Sequence, residues 1–138
     1  MNYEIPESVE EIKQGAFYSC DSLYKFNLSQ NIRKIGDSAF GECGRMKVTY
    51  NCANAELGDR IFFGADIVQF EFGSGIKVIP KRIFYRCSEL INVIIPDTVE
   101  RIDEYAFEDC TSLAEIVIPS SVKTIGDYAF KGCSGLAY

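Results

Sequence analysis

A phenylalanine recurs along the chain at a nearly constant interval, and this period constrains the fold more than any other feature. The interval is 22 or 23 residues across all 138 positions, at Phe17, Phe40, Phe62, Phe84, Phe107 and Phe130. A unit of this length cannot bury an apolar face alone, so neighbouring units must stack and share one core. The period therefore predicts a solenoid of six coils with no second domain, its units being approximately 5–27, 28–50, 51–72, 73–94, 95–117 and 118–138.

Three further columns keep the phase of the phenylalanines. Five positions before them stand Ile12, Ile35, Leu57, Ile79, Ile102 and Ile125. Three positions after them stand Cys20, Cys43, Ala65, Cys87, Cys110 and Cys133. A leucine-type column follows three positions later, at Leu23, Met46, Val68, Leu90, Leu113 and Leu136. Such regular columns are typical of side chains that face one shared interior.

Each unit then closes on an alternating apolar pair, which predicts one strand per coil. The pairs are Phe26/Leu28, Val48/Tyr50, Phe70/Phe72, Val93/Ile95 and Ile116/Ile118. Strands that recur in one direction must pair in parallel. A further column stands three positions before the Ile12 column, at Val9, Ile32, Asn54, Ile76, Val99 and Val122, and this Val-x-x-Ile pattern predicts a second, shorter extended stretch in each coil. The segment 37–43 and its counterparts predict a short helical or 3-10 turn, with Asp37, Asp59 and Asp127 as N-caps.

The repeated pattern Leu-x-x-Ile-x-Ile-Pro-x-x-Val-x-x-Ile-x-x-x-Ala-Phe-x-x-Cys-x-x-Leu resembles the BspA-type leucine-rich repeat family. It is clearest from Ile95 and Pro96 through Cys110 and Leu113, and it covers essentially the whole chain. The resemblance implies a right-handed leucine-rich-repeat superhelix that binds proteins, often within bacterial or protist surface proteins and adhesins. It transfers no catalytic residue.

Units 3 and 4 depart most from this pattern. The substituted positions are Asn54, Ile61 and Ala65 in unit 3 and Pro80 and Ile83 in unit 4. We expect irregular local geometry in these two units and an unchanged fold.

Composition and charge exclude several classes of function. The chain has no histidine, which removes Ser-His-Asp and Cys-His catalysis and histidine metal ligation. We therefore expect no enzyme and no cofactor. Fourteen basic and twenty acidic residues give a net charge of −6, which disfavours nucleic-acid binding. No apolar run approaches the roughly 20 residues that span a bilayer, so we expect no membrane insertion. The N-terminus lacks a signal-peptide pattern, and the resemblance alone suggests a cell-surface or secreted parent protein.

Five of the six cysteines lie in one core column, where they are expected to act as small apolar side chains. Oxidation between neighbouring rungs stays open, although parallel rungs point side chains alike rather than towards each other. Cys52 lies outside the column and is expected to be the most accessible thiol.

The residues between the core pairs face outward and form the candidate contact surface. The first outward column is Lys25, Lys47, Gln69, Asn92 and Glu115, and the second is Asn27, Thr49, Glu71, Ile94 and Val117. Ile94 and Val117, near Ile91 and Ala114, form an exposed apolar end, which favours a partner site. We therefore predict a protein or carbohydrate partner at Lys25, Lys47, Gln69, Glu71, Asn92, Ile94, Glu115 and Val117. The alternative is that these are ordinary solvated strand positions.

Tyrosines form a second candidate surface. Tyr105 and Tyr128 share one phase, and Tyr18 and Tyr85 share another. Stacked tyrosines suit recognition because they offer a large amphipathic area. The alternative is that they cover the edges of the core.

Neither end of the chain carries a polar capping unit, although stacked repeats normally need one. The chain begins within an expected strand, at Tyr3–Pro6, and stops at Tyr138 before the next strand. It is expected to be either a piece of a longer array or a scaffold that associates head to tail with its own copies.

Overall fold

The computed structural model describes residues 4–21 and 23–136 and shows stacked coils joined by parallel strands. The strands are β1 (Glu11–Ile12), β2 (Lys25–Leu28), β3 (Lys34–Ile35), β4 (Met46–Tyr50), β5 (Glu56–Leu57), β6 (Ile67–Phe72), β7 (Val78–Ile79), β8 (Val93–Ile94), β9 (Arg101–Ile102) and β10 (Thr124–Ile125). The solenoid, its parallel strands and the second short stretch in each coil are thereby confirmed.

The alternating pairs form a wide sheet in the order β2-β4-β6-β8. Its register aligns Phe26 with Val48, Val48 with Phe70 and Phe70 with Val93, and all four are buried. Alternation with period two sends these side chains inward and their neighbours outward.

Two of the expected strands do not form in this sheet. The segment containing Ile116 and Ile118 has no ladder, and Ile118 is 39% exposed. No described coil packs on its far side, so its side chains are only partly covered. Glu4–Pro6 also forms no strand, and Tyr3 lies outside the described residues.

One assignment in the leucine-type column is wrong by a residue. Met46 pairs with Ile67 rather than Val68, because the register shifts between Met46 and Lys47. Ile67 is fully buried and Val68 is only half-buried. The shift leaves Val68 as one extra residue of β6 relative to β4, as in a β-bulge.

The predicted helical or 3-10 turns are wrong. Two residues per coil have positive φ, at Gly15 and Ser19, Ser38 and Glu42, Arg60 and Gly64, Arg82 and Arg86, Tyr105 and Asp109, and Tyr128 and Gly132. A left-handed residue every fourth position breaks a helix and turns alternate N–H groups towards the next coil. Tyr18 N–H donates within its turn to Gly15 O at 3.0 Å, whereas Phe17 N–H donates to Ala39 O of the next coil at 2.8 Å.

The predicted aspartate N-caps are wrong for the same reason, since there is no helix in the described residues for them to cap. Asp37 Oδ1 instead accepts a hydrogen bond from Asp59 N–H of the next coil at 2.7 Å. Asp59 lies by Arg60 and Arg82, at 3.9 and 3.6 Å. Asp127 O accepts from Tyr105 N–H of the preceding coil. These aspartates therefore connect coils instead of starting helices.

The repeated phenylalanines form a seam of contacting rings through the core. Ring centroids lie 5.3 Å apart for Phe17–Phe40 and 5.2 Å for Phe40–Phe62. The seam resumes at Phe84–Phe107 with 5.1 Å and Phe107–Phe130 with 5.0 Å. Between the two halves stands another ring: Phe70 contacts Phe62 at 5.4 Å and Phe84 at 4.8 Å.

The narrow sheet is divided at the same place, into β1-β3-β5 and β7-β9-β10. Pro80 follows β7 and has no N–H to donate. The irregularity expected of units 3 and 4 is therefore located between their coils.

Candidate functional site

The wide sheet carries the candidate contact residues on its outer face in two straight rows. Parallel register places Lys25 beside Lys47 and Lys47 beside Gln69. It likewise places Asn27, Thr49, Glu71 and Ile94 side by side, in the second row. The structure thus brings into adjacent positions residues that lie 22 or 23 apart in the sequence.

The other three candidates continue these rows beyond the hydrogen-bonded ladder. Asn92 immediately precedes β8, and Glu115 and Val117 lie in the segment without a strand. All three are exposed. Their phase agrees with the rows, but their positions are not held by strand pairing.

The side chains of the two rows change from basic at one end of the stack to apolar at the other. At one end the like charges of Lys25 and Lys47 lie directly opposite each other, an arrangement that disfavours pairing in isolation. Lys47 is half-buried, and its Nζ lies 5.6 Å from the centroid of the Tyr24 ring. This cation–π contact partly offsets the repulsion. Sequence reasoning missed Tyr24, which directly precedes β2.

At the other end the outer face is apolar. Ile91 and Ile94 are each 61% exposed, and Val117 is 79% exposed. Three aliphatic side chains at these exposures offer an apolar surface that water solvates poorly.

The tyrosines lie on the turn side of the solenoid. Tyr105 and Tyr128 stack at 5.4 Å, and Tyr85 stacks on Phe63 at 5.5 Å. Tyr18 instead donates to Glu42 Oε2 at 3.2 Å. Tyr18 and Tyr85 share a sequence phase, but they belong to coils that are not adjacent.

Arginines complete this turn surface, and sequence reasoning did not single them out. Arg60 lies 4.8 Å from the Tyr85 ring centroid, and Arg82 lies 4.9 Å from that of Tyr105. Arg60 and Arg82 stand two residues before their phenylalanines, the phase that Tyr105 and Tyr128 occupy. Comparing that column across coils would have revealed the contacts.

The column cysteines are free thiols that form a ladder of hydrogen bonds. Cys43, Cys87, Cys110 and Cys133 each donate to the carbonyl of the phenylalanine one coil earlier, as Cys43 does to Phe17 at 3.1 Å and Cys110 to Phe84 at 3.2 Å. Burial raises the pKa of Cys43 to about 11. The hydrogen bond to Cys133, with burial, raises the pKa of Cys110. The raised pKa of Cys43 and Cys110 keeps both thiols neutral, as expected of structural rather than reactive cysteines.

The expectation that Cys52 is accessible is wrong. Cys52 is only 1% exposed and lies beside the buried Tyr50. Burial raises the pKa of Cys52 to about 11. It likewise raises the pKa of Tyr50 well above its usual value, and the Cys52 contact adds to this.

In the chain outside residues 1–3, 22, 137 and 138, no group of three or more histidine, cysteine or acidic side chains converges on a point that could hold a metal ion. Over the same span, no helix is long and apolar enough to cross a bilayer.

Comparison with known proteins agrees with this architecture. The chain is 28% identical to a leucine-rich repeat protein of T. pallidum, with a TM-score of 0.60 over 97% of this chain and 55% of that one. It is 27% identical to a leucine-rich repeat protein of Bacteroides ovatus, with a TM-score of 0.73 over 97% and 35%. A leucine-rich cell surface protein of Faecalibacterium prausnitzii shares the fold at 22% identity and a TM-score of 0.60, over 99% and 47%.

The chain thus spans about half or less of the length of these solved structures. No curated protein matches its sequence. The family model for the BspA-type leucine-rich repeat region matches six copies across residues 10–137. That match covers nearly the whole chain, and the chain therefore belongs to the BspA-type leucine-rich repeat family.

Proposed function

We propose that this chain is a non-catalytic module that binds another protein through the outer face of its wide sheet. The observation that carries the proposal is the alignment of the two outward rows by parallel register, ending in an exposed apolar surface. Rows of different chemistry on a rigid sheet offer a fixed pattern of charged, polar and apolar contacts. Exposed apolar patches rimmed by polar residues are typical of protein interfaces.

Membership of the BspA-type family supports the same proposal and extends it to a setting. We propose that the module acts within a cell-surface or adhesion protein. A protein partner is favoured over a carbohydrate because Ile94 and Val117 are aliphatic, and aliphatic side chains gain most by burial against other apolar surface. Head-to-tail association of copies stays a prediction, which sedimentation velocity over a wide concentration range would check.

The experiment is a binding comparison with two charged substitutions at the apolar end. A photo-crosslinking residue at position 94 first captures the partner from cell extracts, and the purified partner is then titrated. Ile94→Asp with Val117→Asp should weaken its affinity at least tenfold, because each aspartate would have to be desolvated in the interface.

The matched control is Ile125→Asp, on the narrow sheet, where the isoleucine is also exposed, at 48%. That variant should bind the partner like the parent protein. Unchanged affinity in the double variant, or equal loss in the control, rejects the outer face as the contact surface.

A further inference from the structure

The narrow sheet opens between coils 3 and 4, and the opening has a local cause. At three other junctions between coils, a glycine stands four residues before the phenylalanine, and its N–H donates a hydrogen bond to the preceding coil. These bonds run from Gly36 to Ile12 O, from Gly58 to Ile35 O and from Gly126 to Ile102 O, each at 2.7 Å. Pro80 occupies this position in coil 4 and has no N–H.

Space is also tight at this position. A Cβ on Gly126 would lie 2.6 Å from Glu104 N of the preceding coil. Where Asp103 replaces the glycine, the hydrogen bond to Ile79 O lengthens to 3.0 Å. A proline adds a ring as well as removing the donor, so coils 3 and 4 must separate here.

The separation leaves strand edges without partners. Within residues 23–136, no strand pairing joins β5 to β7. The coils remain connected at Gly64, whose N–H donates to Tyr85 O at 3.2 Å, and by the wide sheet. The result is a groove, the coil 3–4 groove, whose lining includes Leu57 of β5 and Val78 of β7.

The groove is large enough for a ligand. Its volume is about 850 Å³, within the range of roughly 300–1,000 Å³ typical of binding clefts. Leu57 and Val78 are half-buried in its lining. Backbone groups of two strand edges therefore border a space that a chain in extended conformation fits.

The groove is positive although the chain is acidic overall. Its lining holds four cations, Lys77, Lys81, Arg82 and Arg101, against the two carboxylates Asp59 and Asp103. The chain as a whole carries −6. Arg82 lies 3.6 Å from Asp59, Arg101 lies 2.6 Å from Asp103, and Lys81 lies 3.0 Å from Glu104. Lys77, in contrast, has no carboxylate within 4.0 Å in the described part of the chain.

We propose that the coil 3–4 groove binds an extended, acidic segment of a partner polypeptide by adding it as a strand to the edges of β5 and β7. Unpaired main-chain donors and acceptors match another polypeptide backbone, as in other strand-addition complexes. The positive lining selects acidic side chains. This site is separate from the outer face of the wide sheet and does not depend on it.

The test titrates three eight-residue peptides with blocked ends into the isotopically labelled chain and follows the amide resonances. One peptide alternates threonine and glutamate, the second replaces glutamate with lysine, and the third is the acidic peptide methylated at alternate backbone nitrogens. The acidic peptide should shift amides of residues 55–59 and 76–82. The other two should bind at least tenfold more weakly.

Two substitutions connect the binding to the groove. Pro80→Gly restores the residue found at three equivalent positions, so we expect it to protect the Leu57 amide from hydrogen exchange. The same variant should bind the acidic peptide at least tenfold more weakly than the parent chain. Lys77→Glu should lower the affinity for the acidic peptide several-fold. Lys123→Glu, a substitution at the equivalent position of coil 6, should leave that affinity unchanged.

The following results would each overturn the proposal. The first is that the acidic peptide does not bind at millimolar concentration, and the second is that the lysine peptide binds equally well. The third is that the resonance shifts are confined to the wide sheet. The fourth is that the Pro80→Gly variant keeps its affinity although its Leu57 amide has become protected.

Discussion

At the scale of single residues, the position of a cysteine within the repeat decides whether its burial could be predicted. The burial of the column cysteines was predicted correctly, and that of Cys52 was not. The column cysteines are core side chains, and Ala65 shows that an apolar methyl group serves at the same position. Cys52 has no counterpart in the other coils, so its position depends on a neighbour. That neighbour is Tyr50, whose burial covers the thiol.

We expect the free energy of unfolding to fall between about pH 9 and pH 11. Burial raises the pKa of Cys43 and Cys52 to about 11 in the folded chain, from a usual value of 9.0. A raised pKa means that folding favours the neutral thiol, so this stabilisation is present below pH 9 and lost as the pH rises through 11. Urea unfolding under reducing conditions would measure it. Cys52→Ala should flatten the pH dependence, and an unchanged slope in that variant would contradict the assignment.

At the scale of elements, the strands were predictable and the turns were not. Period-two alternation is visible in one coil, and it predicted the wide sheet at Phe26/Leu28 and Val48/Tyr50. The turns were expected to be helical because Ala-Phe follows an aspartate. Their left-handed residues include Tyr105 and Tyr128, which no local propensity places there. Hydrogen bonding between coils over-determines these conformations.

We expect Ser19→Gly to stabilise the chain by up to about 1 kcal/mol. Ser19 has a φ of 58°, and glycine occupies the equivalent turn positions at Gly64 and Gly132. A left-handed conformation costs a residue with a side chain about 1–2 kcal/mol, part of which the greater unfolded-state entropy of glycine offsets. Thermal and urea unfolding would measure the change. The exposed Ser88 has no positive φ, so Ser88→Gly should destabilise the chain. The same sign in both variants would refute this account.

At the scale of the whole molecule, cohesion is greatest in the middle of the stack. Phe40, Phe62, Phe84 and Phe107 are completely buried, whereas Phe130 is only half-buried. The longest ladder joins β4 to β6. In a repeat protein each coil is stabilised by its neighbours, so coils with one neighbour open first.

Native-state hydrogen exchange should therefore follow position in the stack. Amides of Met46–Tyr50 and Ile67–Phe72 should exchange last, and those of Thr124–Ile125 should exchange first. Ile125 is 48% exposed and its strand has one partner. Mass spectrometry of exchanged peptides would check this order. Uniform protection across the six coils would show that the chain unfolds as one cooperative unit.

The sequence by itself determined the family, the number of coils, the core columns and the outward rows, because burial of apolar side chains depends on phase and the phase repeats. Only the tertiary structure decided the conformation of the turns, the burial of Cys52 and the groove beside Pro80. These features depend on which donor meets which acceptor in the next coil, and one missing N–H or one added ring changes that pairing without disturbing the repeat.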